Sequence, residues 1–247
     1  MTQEKAGLGE QALNKIAEMA LSNQMEEVER LEVHVKTNPS QLAHGEVESI
    51  AIKGEGLMMQ PDLSVAELEL HINRVTVKPL SALFGKIELT QPTDGTARIV
   101  INEENLNRAF NSESFHKQLQ QRQVFVENKQ MKIDAQQMKC DLLANGKIAI
   151  NGELIVGETG KAQLVTFTAI PQIGADRQAI ILQDVQYSEG KELSPELTAA
   201  IVAQVSEVLN LSNFELEGMS LRIQQVNVTA GKLVLQAAAK IEQFPSS

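Results

Sequence analysis

Apolar residues recur at Leu13, Ile16, Ala17, Ala20, Leu21 and Val28, while Glu18, Glu26 and Glu27 fall on the remaining faces. This is the spacing of an amphipathic helix. Between Leu8 and Val28 there is no proline and only one glycine, Gly9 at the start, so the pattern predicts a single helix over that range. At 1.5 Å per residue it would run about 30 Å, long enough to cross a domain. The period then changes to two. Leu31, Val33 and Val35 alternate with Glu32, His34 and Lys36 until Asn38-Pro39 stops the run, and Gly45 to Leu57 and Val65 to Val77 read the same way. In the last of these, Leu68, Leu70 and Ile72 share one phase and Val75 and Val77 the other. A bulge or change of face at Asn73-Arg74 would account for that slip. Ile87 to Leu89, the stretch Pro92-Thr93-Asp94-Gly95 and Ala97 to Ile101 predict a hairpin.

Asn102 is a cap for a second helical region, with Glu103 and Glu104 in its first turn. Its apolar face is Leu106, Ala109 and Phe110, continued by Phe115 and Leu119 after a break near Asn111-Ser112. Strands return from Val124 to Tyr187, with turns at Asn145-Gly146, Gly157 to Gly160 and Pro171 to Asp176. Ser194-Pro195 starts a third helix, carrying Leu197, Ile201, Val205, Val208 and Leu209 on one face. Phe214 to Phe244 closes the chain with two or three strands. Helices separated by groups of strands, rather than strict βαβ alternation, predict an α+β fold with antiparallel strands. No linker rich in Gly, Ser or Pro divides residues 1–247, which read as a single domain.

Composition narrows the function. Aromatic residues are 3% of the chain, with no Trp, so a base-stacking nucleic-acid platform is not expected. The net charge of -10 repels phosphate backbones and anionic headgroups at long range, and no run of Lys and Arg appears. One cysteine, Cys140, makes no internal disulfide and gives no sign of an oxidising compartment. The first thirty residues are dotted with charge and read as no signal peptide, and no apolar stretch is long enough for a spanning helix. The expectation is a soluble, cytoplasmic protein whose membrane contact, if any, is peripheral.

Catalytic patterns are missing: no GxSxG, GxxxxGK[ST], GxGxxG, HExxH or CxxC. His34, His44, His71 and His116 are scattered, and each reads as a structural or surface histidine rather than a metal ligand. The acidic cluster Glu26, Glu27, Glu29 and Glu32 reads as a solvated helix end. Neither an enzyme activity nor a cofactor is expected. What remains is a set of apolar helices among amphipathic strands. A strongly curved sheet wrapped around such helices can leave an apolar groove; the same periodicity also fits a solidly packed interior.

Several segments shift that balance by resemblance. They are the stretch Gly45 to Leu57 (GEVESIAIKGEGL), Asn102 to Asn107 (NEENLN) after a strand, and Gly146 to Leu154 (GKIAINGEL). Phe214 to Gly218 (FELEG), Gly231 to Leu233 and Phe244-Pro245 complete the set. These strand-and-turn patterns resemble the LmeA-like phospholipid-binding proteins of bacteria, relatives of the tubular (BPI-like) lipid-binding proteins. The resemblance runs from about Ala12 to Pro245 and implies a curved sheet around a long helix, enclosing lipid chains. Members outside the cytoplasm carry an N-terminal signal or anchor, which is not read here. The family brings no lipid-binding motif, so candidate residues come from apolar periodicity. Ile16, Ala20, Ile201, Val205 and Leu209 are expected to line a groove, with Phe110, Phe115 and Phe167 at its ends. The expected partner is a lipid or phospholipid; the alternative is a structural or assembly protein with a filled core that binds a protein through its sheet.

Overall fold

The longest alternating runs of the sequence become the middle of a six-stranded antiparallel sheet. In a computed structural model describing residues 8–23, 25–60, 62–78, 88–122, 124–126, 129–157, 161–188 and 193–244, β1 (Glu27–Lys36), β2 (Glu46–Gln60), β3 (Leu63–Thr76) and β4 (Thr93–Asn102) lie side by side. The two C-terminal strands, β11 (Met219–Thr229) and β12 (Lys232–Ile241), complete this sheet, with β12 pairing to β4. A four-stranded sheet follows the order β10-β9-β8-β7, built from β7 (Ile133–Leu142), β8 (Ile148–Val156), β9 (Lys161–Ile173) and β10 (Ile180–Tyr187). Two short strands, β5 (Val124–Val126) and β6 (Lys129–Met131), form a separate two-stranded ribbon ahead of β7. The helices are α1 (Leu8–Ser22), α2 (Pro39–Ala43), α3 (Glu103–Phe110), α4 (Glu113–Gln121) and α5 (Pro195–Val208).

The α+β class and antiparallel pairing stand. The single strongly curved sheet around long helices does not: the strands divide between two main sheets, and the helices are short. α1 has 15 residues, about 22 Å, and ends at Ser22 instead of Val28. Val28 pairs with Leu57, and Glu26 N–H bonds Met58 C=O, so the long partner β2 recruits these residues into strand against their helical spacing. Glu27, Glu29 and Glu32 therefore stand on β1 rather than on a helix end. The slip at Asn73-Arg74 is present: Ile72 and Val75 are both buried, and Arg74 has φ +56°. Its partner strand slips at the same level, with Val47 and Ile50 both buried, so both strands change face together.

The hairpin expected around Pro92 is rearranged. Ile87 lies outside the described residues; Leu89 bridges back to Val77, and Thr93 to Gly95 already belong to β4, paired with β12 and, at Gly95, with β3 as well. The turn at Asn145-Gly146 joins β7 to β8 as expected, whereas residues 158–160 of the next turn lie outside the described residues. Pro171 continues β9, and the turn begins after Ile173. A proline is tolerated there because β8 pairs with β9 only as far as Ala169, leaving Pro171 one neighbour, β10.

Two sheet edges are closed by the same device. Along α1, Asn14 and Glu18 accept backbone N–H bonds from Val35 and Val33 of the edge strand β1, at 2.8 and 3.4 Å, and Glu10 accepts from Thr37 just past its end, at 3.0 Å. Along α3, Glu103 accepts from Leu142 N–H at 2.7 Å, and Asn107 accepts from Cys140 N–H at 2.7 Å. Asn111 accepts from Met138 N–H at 3.0 Å. The two asparagines also donate back, to the carbonyls of Cys140 and Met138. Four residues of helix rise about 6 Å, and two residues of strand about 6.6 Å, so side chains at i, i+4 and i+8 meet alternate groups of an antiparallel strand. Edges left open invite pairing with another chain; here helices cover β1 and β7.

Candidate functional site

Around α3, α4 and α5 the helix ends are fixed by their own caps. Asn102 accepts from Asn105 N–H, and Asn105 returns a bond to Asn102 N–H, a reciprocal cap that sets α3 against the end of β4. Ser112 breaks the helical run as anticipated: its hydroxyl donates to Ala109 C=O at 2.8 Å and accepts from Phe115 N–H at 3.1 Å. That turn brings Phe110 and Phe115 together with ring centroids 5.5 Å apart. α5 starts at Ser194 and Pro195 and packs on α4, β5 and β10. Gln204 is fully buried in it, accepting from Arg122 Nε at 2.8 Å and donating to Gln118 Oε1 at 2.7 Å. Thr198 bonds the Tyr187 hydroxyl on β10.

Of the candidate groove residues, Ile201, Val205, Leu209, Phe110, Phe115 and Phe167 belong to one continuous cluster of buried apolar side chains. Phe110 and Phe115 are in mutual contact, while Phe167 packs against Tyr187 with centroids 5.6 Å apart. Ala20 is buried and Ile16 half-buried, and both lie outside that cluster on α1, whose main neighbour is β1. The fold thus brings α5 to the phenylalanines and places the α1 pair elsewhere.

Three openings border these elements. One of about 90 Å³ lies among Leu63, Ala109, Phe115, Gln118 and Val208, at the junction of α3, α4 and α5. A second, of about 830 Å³, is bounded by the start of β1, the β2–β3 hairpin and α3; Glu27, Glu29, Glu55, Glu67 and Glu104 line it with a single cation, Arg108. Its glutamates make it hostile to a phosphate. Arg98 bonds the Glu67 carboxylate at 3.0 Å and holds its pKa below the ordinary value. A third, of about 480 Å³, opens between α4 and the ends of β7 and β8, lined by Lys117, Lys132, Ile133, Asp134 and Ile155 among others. Sequence reading missed this last site, although its signal is present: residues 114–133 carry four Lys and Arg against one carboxylate in a strongly acidic chain.

Cys140 is buried, and burial pushes its thiol far above the ordinary range, so it is a packing residue on β7. Among the described residues no group of three or more His, Cys, Asp and Glu is placed to hold a metal ion. No described helix is long and apolar enough to cross a membrane. The sequence model of the family described as LmeA-like phospholipid-binding matches residues 5–238. Comparison with curated proteins gives no match.

Proposed function

The chain belongs to the LmeA-like phospholipid-binding family, and from that premise we propose that it binds or carries a phospholipid without transforming it. The family match over residues 5–238 is the observation that carries this reading. Acyl methylenes would be buried against aliphatic side chains, each contributing about 0.8 kcal/mol. A chain would run along the inner side of α5, touching Ile201, Val205 and Leu209, with Phe110 and Phe115 at the entrance and Phe167 further in. The opening beside Phe115 and Val208 holds only about 90 Å³, roughly three waters' share of volume, so uptake requires α5 to part from α4. Ile16 and Ala20, packed with β1, are a separate apolar contact. Transfer would involve transient contact with a membrane surface.

The test is organic extraction and mass spectrometry of lipid retained by the folded protein, against an unrelated acidic control. A stoichiometric, selective phospholipid is expected, and Val205→Glu or Ile201→Glu should lose it. Retention by either variant in folded form would move the binding surface away from α5. A filled interior also favours a second reading, a protein-binding role through the sheet. With β1 and β7 covered, β10 and β11 are the remaining edges for it, and absence of lipid from the wild type even after incubation with total membrane lipid would favour that role.

A further inference from the structure

The chain carries a net charge of -10, yet residues 113–134 come close to balance, with four Lys and Arg against three carboxylates. Lys117 and Lys132 face the 480 Å³ cavity, together with Gln120 and Gln121. Asp134, its one lining carboxylate, is engaged: His116 Nδ1 lies 2.9 Å away, and Ala135 N–H bonds the same oxygen. Lys117 pairs with Glu113 on the same helix, but both side chains are largely in water, where such a pair is weak and readily exchanged. Lys132 forms no ion pair among the described residues, and Arg122, at the end of α4, meets only the neutral Gln204. At 0.1 M salt, charges are screened beyond about 10 Å, so this near-balanced stretch with its two lysines, rather than the total of -10, is what an approaching anion meets.

Beside the cavity stands the β5–β6 ribbon. Val124 is buried on one side of it, and its partner Met131 has its sulfur 3.3 Å from where a Cβ on Gly157 would stand, at the cavity rim. The other side presents Phe125, 53% exposed, opposite Gln130, while Lys129 stands opposite Val126 on the side of Val124 and Met131. An exposed aromatic on a ribbon whose other side meets a lysine-lined cavity suits an interface that is anionic outside and apolar beneath.

We propose that this end of the molecule docks on a bilayer bearing anionic phospholipid, with a headgroup phosphate between Lys117 and Lys132 and Phe125 entering the interface. The proposal rests on the phospholipid-binding reading and names the surface through which it meets a membrane. The experiment is co-sedimentation of the full chain with vesicles of phosphatidylcholine containing about a third phosphatidylglycerol, against phosphatidylcholine alone, with retained lipid measured on the same samples. Binding is expected only to the anionic vesicles, weakened about fivefold for each lysine in Lys117→Gln and Lys132→Gln. The double lysine-to-arginine variant should restore it. Phe125→Ser should weaken it roughly fivefold or more through lost apolar burial, and Lys240→Gln, the same charge change elsewhere, should leave it unchanged. Wild-type-like binding by the double glutamine variant, or equal binding to both vesicles, overturns the docking surface while retained lipid leaves the binding reading standing. No vesicle binding at all also overturns it, in favour of an acidic protein partner. Absence of retained lipid together with anionic-vesicle binding would instead fail the carrier reading and keep the surface.

Discussion

Asn107→Ala tests the idea that helix side chains, rather than further strand pairing, complete the edge of the four-stranded sheet. The carboxamide of Asn107 both accepts from Cys140 N–H at 2.7 Å and donates to Cys140 C=O at 3.2 Å. Cys140 is fully buried, so truncation leaves two backbone groups without partners. An unsatisfied buried group costs about 1–3 kcal/mol. Asn107 is only half-buried, so water reaching the gap favours the lower end for each group. Alanine regains about 0.5 kcal/mol of helix propensity. The net expectation is a loss of about 1.5 kcal/mol, or roughly 3–6 °C in Tm for a chain of this size. Urea unfolding followed by circular dichroism should show a lower midpoint with an unchanged slope. Asn107→Asp keeps the acceptor for Cys140 N–H and turns the second oxygen against the carbonyl, so it should not rescue. A loss below about 0.5 kcal/mol for Asn107→Ala would refute the edge-cap account, because it would mean that water serves β7 as well as the helix does.

Ile201→Ala removes buried methylenes from a fully enclosed site and should cost about 2–4 kcal/mol by the same urea assay; a loss under 1 kcal/mol would mean that the site can open. Gly218 has φ +76°, and a Cβ there would stand 2.6 Å from Gln243 C=O, so Gly218→Ala should destabilise by about 2 kcal/mol or more, read as a fall in Tm. Cys140 should resist iodoacetamide in the native protein at neutral pH and react only on unfolding; rapid native labelling, followed by mass, would contradict its burial. Glu67 is held below its ordinary 4.5 by Arg98, so its stabilising contribution is present above that pH and lost as pH falls through the lower folded value. Glu67→Gln should therefore flatten the acid loss of stability below about pH 4.5, by a small step because the side chain is a third exposed; an unchanged acid profile would argue against the Arg98 pairing.

Where one local signal and the tertiary partner agreed, the pattern of the chain was enough. Asn102 and Ser194 each mark a helix start that the hydrogen bonds bear out, the break expected near Asn111-Ser112 separates α3 from α4, and the two-residue alternation of β2 and β3 gives their buried faces. Where they conflicted, the partner won. Val28 continues the apolar period of α1 and yet pairs with Leu57, because a 15-residue β2 offers more backbone bonding than another helical turn. The division into two sheets was beyond reach, since β12 returns to β4 across 130 residues of intervening chain and no periodicity encodes that pairing. The edge caps were legible in principle. Glu10, Asn14 and Glu18 repeat every four residues, as do Glu103, Asn107 and Asn111, but polar residues on a helix face read as solvated until a strand is laid against them.

Those same caps constrain how lipid could enter. α1 is tied to β1 and to Thr37 just past its end through three side chains bonded to backbone, and α3 to β7 through three more, so moving either helix exposes a strand edge along with apolar surface. α5 is attached differently. Its polar ties run side chain to side chain, from Gln204 to Arg122 and Gln118 and from Thr198 to Tyr187, and none of these satisfies a sheet edge. Arg122 and Tyr187 are partly accessible to water, so their groups have an alternative partner once α5 lifts. The cost of opening is then mostly apolar exposure of residues such as Ile201, Val205 and Leu209, the surface that an acyl chain would cover again. A filled core and a lipid-binding function are compatible on this account: α5, which like α4 owes no bond to a sheet edge, would be the helix to yield, and a bound acyl chain would replace the contacts it gives up.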